Sequence, residues 1–140
     1  MTPAWLIRTG LALAIIASGW LVFKLVTYLS LNRVRKIAHR LENYQPGKAA
    51  IVYFTTPDCL ACKAAQHPAL MRLQSLLGDQ LQVIEINAYE DPDMAKDWGV
   101  LSVPTTFILD SKGAPRQVNY GVTPAEKLYD QLRQTKPQAI

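Results

Sequence analysis

Apolar positions along the chain fall into two regimes. Up to about residue 31 they run almost unbroken, and beyond residue 48 they come in short blocks separated by Gly, Pro, Asp and Asn. From Thr9 to Phe23 no side chain is charged, and after Lys24 the apolar run resumes through Leu31. Taken as a helix, Thr9–Leu29 extends about 31 Å at about 1.5 Å per residue, the thickness of a bilayer's hydrocarbon core. Lys24 lies near one end of that span, where its long stem can carry the ammonium to the headgroups. A cleaved signal peptide is the alternative. The small-residue cluster Ala17-Ser18-Gly19 is followed by Trp20-Leu21-Val22-Phe23, however, and apolarity continues beyond it, which favours an uncleaved anchor.

Leu31, Val34, Ile37 and Leu41 then recur at helical spacing with basic residues between them. They predict either a helix leaving the membrane with a basic face on anionic headgroups or a solvated basic linker. Gln45-Pro46-Gly47-Lys48 ends that segment. The organisation read from the pattern is an N-terminal transmembrane anchor over 1–31, a basic juxtamembrane helix or linker over 32–48, and a folded domain over 49–140.

Within the domain, Ala49–Thr55 is an apolar, β-branched and aromatic run of the kind a strand covered on both faces shows. A helix is predicted from about Cys59 to Leu77, with Leu70, Leu73 and Leu77 on one face, kinked at Pro68 and closed by Gly78-Asp79. Leu81–Asn87 reads as a second strand, and Asp91-Pro92 opens a short helix reaching Trp98. Thr105–Leu109 and roughly Arg116–Tyr120 read as two strands joined through Lys112-Gly113. Thr123-Pro124-Ala125-Glu126 has the form of a capping box opening a last helix to about Gln134. The order β-α-β-α-β-β-α predicts parallel crossovers where helices intervene and an antiparallel pair at the end.

Charge sharpens this division. The chain carries a formal +4, but residues 1–48 hold seven basic residues against the single acid Glu42, while residues 49–140 hold eight basic and ten acidic residues. The basic excess belongs to the membrane-proximal third, so no nucleic-acid partner is expected for the body. The span's C-terminal flank outweighs Arg8 and the terminal amine, which favours a single-pass cell-membrane protein with its domain in the cytoplasm. The extracytoplasmic face is the alternative. Two cysteines allow at most one disulfide, which excludes a disulfide-stapled scaffold.

Those two cysteines form Cys59-Leu60-Ala61-Cys62 at a predicted helix N-terminus. Thiols at i and i+3 on a helix share a face and lie close enough to bridge. Unpaired N–H groups and the helix dipole favour an anion at the first thiol, lowering its pKa and making it the nucleophile. Cys62, one turn further in, would resolve the mixed disulfide. A zinc site is the structural alternative, but only His39 and His67 are available to complete two thiolates, and no metal is expected. The chain has no Gly-rich phosphate loop and no serine triad.

The run Ile51-Val52-Tyr53-Phe54-Thr55-Thr56-Pro57-Asp58-Cys59-Leu60-Ala61-Cys62-Lys63 resembles the strand and active-site loop of the thioredoxin-like family. Gly99–Leu109 resembles the segment carrying that family's cis-proline, Asp110–Gly113 its hairpin turn, and Gly121 the glycine before its final helix. The resemblance covers about residues 46–134. It implies a three-layer α/β fold, a mixed sheet of about four strands flanked by helices. It also implies a cis Val103–Pro104 bond facing the cysteines, with the Val103 backbone pairing to a substrate polypeptide.

Several positions depart from the family pattern. Asp58 replaces a common tryptophan; its charge opposes thiolate formation at Cys59, whereas Lys63 favours it. Leu60-Ala61 replaces glycine-proline, so the redox poise does not carry over. Tyr53 stands where the family often has a buried acid. Glu85, where it often has a lysine, is read as a replacement proton acceptor for Cys62, partly desolvated in its strand; a solvated Glu at the sheet edge is the alternative. His67 reads as a partly exposed spacer, and Trp98 and Tyr89 as residues packing over the short helix.

The expected function is a membrane-anchored thiol–disulfide oxidoreductase acting on protein disulfides, without a bound cofactor, supplied by an upstream reductase or membrane electron carrier. The alternative is a redox-inactive or thiol-sensing docking module for a membrane partner.

Overall fold

The computed structural model of the chain describes residues 4–37, 41 and 43–135. Helix α1 (Ala4–Ile37) is continuous. Its stretch Arg8–Leu29 is long and apolar enough to cross a membrane, by length and composition, and none of it is buried against the rest of the chain. By the same test it fits a membrane anchor or a signal sequence. Lys24 places its ammonium 5.1 Å from the centre of the Trp20 ring, one turn back.

Of the basic juxtamembrane helix or linker expected over 32–48, the described part continues α1 as helix to Ile37, and its apolar face meets protein. Val34 is fully buried and Leu41 nearly so, both in a cluster with Val52, Phe54, Trp98 and Phe107. The helical spacing of Val34 and Leu41 thus serves the core of the folded unit. Ala38, His39 and Arg40 lie outside the described residues, and with them much of the expected basic face.

Strands β1 (Ala49–Thr55), β2 (Leu81–Asn87), β3 (Thr105–Leu109) and β4 (Pro115–Tyr120) form one sheet in the order β2-β1-β3-β4. β1 is central and its side chains alternate between two cores. Val52 and Phe54 face α1 and the short helix α3 (Pro92–Asp97). Ile51 and Tyr53 face α2 (His67–Leu77) and α4 (Ala125–Thr135), where Leu70, Leu73, Leu128 and Leu132 close the second layer. Coverage on both faces is why β1 reads as an unbroken apolar run. The result is the predicted three-layer α/β arrangement around a four-stranded mixed sheet.

β2 runs parallel to β1, as a crossover through α2 requires. β3 corrects the expectation of a second parallel crossover: it is antiparallel to β1, with Ile51 opposite Ile108. The connection from β2 holds the six-residue α3, and β3 starts at the end of the sheet where β2 stops.

α4 begins where the sequence predicts, but not by the predicted capping box. The Thr123 N–H donates to Oε1 of the buried Gln66 at 2.8 Å, and Gln66 Nε2 donates back to the Thr123 carbonyl at 3.2 Å. Glu126, the expected partner of Thr123, lies 3.8 Å from Arg72 instead. An amide reaching from the preceding helix satisfies both groups, so the carboxylate has no bond left to make there.

Candidate active site

The site forms where β1 ends and β3 begins. Because Phe54 pairs with Thr105 across antiparallel strands, the loop after β1 and the loop before β3 meet at one end of the sheet. The first carries Cys59 and Cys62 and the second carries Val103 and Pro104.

Cys59 stands at the start of the helical stretch. Its carbonyl accepts the Lys63 N–H at 3.2 Å, and its own N–H donates to Thr56 at 3.2 Å. The Cys62 N–H donates to Cys59 Sγ at 3.1 Å, as it would to the side chain of an N-cap serine or aspartate. Cys59 and Cys62 are joined as a disulfide, with Cα atoms 5.2 Å apart. Cys59 is half-buried and Cys62 is 1% exposed, so a substrate sulfur has access to the first and not to the second. Asp58 and Lys63, on either side of the pair, are both exposed.

The Val103–Pro104 bond is cis, as expected. Pro104 is buried, its carbonyl accepts the Gly121 N–H at 2.8 Å, and Thr105 Oγ1 donates to the Ser102 carbonyl at 2.7 Å. Gly121 has φ +84°, a backbone region that a side chain would strain. Val103 and Cys59 pack against the same buried cluster, which contains Cys62. Beside this loop a groove of about 540 Å³ is lined by Thr56, Val100, Leu101, Ser102 and Val103, among others. Leu60 and Leu101 are 80% and 92% exposed. From sequence, Leu60 enters only as a residue between the thiols that bears on redox poise and Leu101 is not assigned to the site; an apolar residue in the loop next to the proline is the available signal.

Under the disulfide the chain departs further from expectation. The helix does not run as a kinked α-helix from Cys59 to Leu77. Cys62–Gln66 is a π-helical turn, closed by the His67 N–H donating to the Cys62 carbonyl, and α2 follows it. Pro68 accounts for this, because it has no N–H to give and its ring excludes the carbonyl four residues back.

Tyr53 is 1% exposed. Burial pushes its phenol above the ordinary value, and the Glu85 charge adds to this against an opposing hydrogen bond with Thr55, so the group stays neutral. Glu85 corrects the expectation of desolvation: its side chain is 53% exposed on the edge strand β2. It nevertheless lines the same cavity of about 160 Å³ as Cys62, Tyr53, Lys63 and His67. His67, read from sequence as a spacer, has Nδ1 3.8 Å from Glu85 Oε2.

Trp98 packs as predicted, with its ring against those of Phe54 and Phe107. Its Nε1 is buried and has no hydrogen-bond partner among the described residues. Tyr89 does not pack; it is 79% exposed, because the turn after β2 carries it away from α3. Among the described residues no group of three or more His, Cys, Asp or Glu side chains is placed to hold a metal ion.

Residues 34–134 match the family model described as Thioredoxin. Thioredoxin of Bacillus subtilis is 32% identical over 77 residues, covering 55% of this chain and 72% of that protein. Thioredoxin of Rhodospirillum rubrum is 35% identical over 79 residues, covering 56% and 74%. Among solved structures, a chloroplastic thioredoxin z superposes with a TM-score of 0.61 at 20% identity, over 72% of this chain and 86% of that one. That last likeness concerns the fold.

Proposed function

The chain belongs to the thioredoxin family, and from that premise we propose that it is a membrane-anchored protein thiol–disulfide oxidoreductase in which Cys59 attacks and Cys62 resolves. Thiol–disulfide oxidoreductase activity with a Cys59–Cys62 redox pair follows from family membership. The anchor, the residue roles and the side of the membrane are our reading.

The observation that carries the reading is the asymmetry of the pair. Cys59 is accessible, at a helix N-terminus, with its sulfur receiving a backbone N–H, whereas Cys62 is buried. With the pair reduced, the same N–H and the helix dipole favour a thiolate on Cys59. That thiolate attacks one sulfur of a substrate disulfide and the other sulfur leaves as a thiol. Cys62 then attacks Cys59, the bond from Cys59 to the substrate breaks, and the pair is left as the disulfide present here. The substrate gains two electrons and the pair loses two. Val103 and Pro104 provide the edge along which the substrate backbone lies. Asp58 and Lys63 adjust the Cys59 thiolate in opposite senses, and Glu85 lies on the proton path from Cys62. Electrons return from an upstream reductase or a membrane electron carrier.

Anchoring is supported by the continuity of α1. It runs without a break from the apolar stretch to Val34 in the core, so cleavage after Ala17–Gly19 would leave an apolar half-helix projecting from the domain. We place the start of the folded unit near Val34, where the family match begins. The basic flank favours a cytoplasmic domain.

Insulin reduction by dithiothreitol in the presence of the detergent-solubilised full chain tests the reading. The expected result is acceleration well above dithiothreitol alone, abolished by Cys59→Ser. Tyr53 in place of an acid, and Asp58 beside Cys59, favour the docking-module alternative, which requires no acceleration by the parent protein.

A further inference from the structure

We propose that His67 and Glu85 together relay the proton of Cys62, with the imidazole as the carrier and the carboxylate as its positioning partner. The inference rests on the oxidoreductase reading and deepens it.

Five residues along a regular α-helix amount to about 140° of rotation, which would turn His67 away from Cys62. The π turn inserts one extra residue, so that position 67 relates to 62 as i+4 does to i, about 40° apart and on one face. The hydrogen bond from the His67 N–H to the Cys62 carbonyl is the direct mark of that insertion. Pro68 thus brings His67 onto the helix face that carries the resolving thiol, at a position that α-helical periodicity assigns elsewhere.

Cys62 and His67 open onto one cavity of about 160 Å³. That volume has room for bridging water, and the polar groups around it provide partners. Among the described residues, the charged or titratable groups facing His67 there are Glu85 from β2, Lys63 from the π turn, Tyr53 from β1, and Cys62 itself. Tyr53 is buried and neutral, which removes it as a base, and Lys63 is a cation. Glu85 Oε2 lies 3.8 Å from His67 Nδ1, beyond hydrogen-bond distance and close enough to orient the ring.

The Cys62 thiol passes its proton through water to the imidazole, and Cys62 Sγ attacks Cys59 Sγ. The Cys59–Cys62 bond forms, and the bond from Cys59 to the substrate breaks with its electron pair leaving on the substrate sulfur. That sulfur takes up a proton from solvent, and the imidazolium returns its own to solvent. In reduction of the Cys59–Cys62 disulfide the same imidazolium protonates the departing Cys62 thiolate.

The test uses the full chain in detergent. Rates of insulin reduction are measured from about pH 5 to 9, across the range in which histidines titrate, for the parent, His67→Gln and Glu85→Gln, with thermal unfolding recorded for each. We expect His67→Gln to slow turnover by at least about tenfold, the scale of lost proton transfer. The pH profile should change shape as well as height, and added imidazole should restore part of the rate to His67→Ala. Glu85→Gln should give a smaller loss with a displaced profile. Folded variants that keep the parent's rate and profile overturn the relay and leave the oxidoreductase reading intact. A parent without activity overturns both. Because both side chains are about half exposed, neither substitution removes core packing, and the two variants read the same relay from different elements.

Discussion

Asp110 is the residue whose surroundings constrain it most. Its side chain is 5% exposed, and it accepts the Lys112 and Ala114 N–H groups at 2.9 Å and Arg116 Nε and Nη2 at 2.7 Å. Burial alone would raise its pKa, but these donors together hold the carboxyl below the ordinary aspartate value. A folded-state pKa below the unfolded one contributes stability that is fully present above the unfolded value, about 3.9, and is lost as pH falls through the folded one. Melting temperature measured from about pH 7 to 2 should therefore fall in the acid limb. Asp110→Ala should flatten that limb and cost about 1–3 kcal/mol at neutral pH, because two part-buried backbone N–H groups and the Arg116 guanidinium lose their acceptor. A variant with the parent's acid limb would show that the β3–β4 hairpin owes nothing to this carboxylate. From sequence, Asp110 reads only as a turn residue; its partners up to position 116 become visible only when the hairpin closes. Cys59 and Cys62 are legible because their chemistry depends on local spacing. His67 is not, because its place depends on a helix defect that Pro68 introduces.

Among the elements, α1 and α3 carry the differences between pattern and structure. Periodicity reveals that one face of a helix is apolar; it does not reveal what that face meets. Val34 and Leu41 fit a lipid headgroup region and a protein core equally well as a pattern, and the structure places them in the core. A chain starting at Leu31 should therefore be more stable than one starting at Ala49 by about 3–6 kcal/mol, the worth of two buried aliphatic side chains. Urea midpoints of the two chains check this, and equal midpoints would return residues 32–48 to the role of a linker. The strands after residue 48 are legible almost to the residue, because their apolar blocks are bounded by Gly, Pro and Asp, whereas the helix after β1 is legible in its end at Leu77 and not in the π turn that begins it. The direction of β3 is not legible, because the apolar pattern of a connection does not tell whether it returns along the sheet or stays at one end of it. The four-residue Thr123–Glu126 signature fixes where α4 starts, but Gln66, far away in sequence, decides which bonds hold that start.

At the scale of the whole molecule, one helix links the apolar span to the domain's core. Leu29 ends the span and Val34 is already buried, four residues intervening and about 7.5 Å of helix separating the two positions. With α1 in a bilayer, the domain sits against the headgroups and Cys59 meets substrates that reach the membrane surface. The central claim is that Cys59 exchanges disulfides there and Cys62 ends the exchange. Cys62→Ser, expressed in cells and isolated with the membrane fraction, tests it most directly. The account predicts covalent adducts of higher mass that disappear on reduction and are absent from Cys59→Ser and from the double variant. A Cys62→Ser protein that stays monomeric without reductant, or adducts that persist without Cys59, would contradict it.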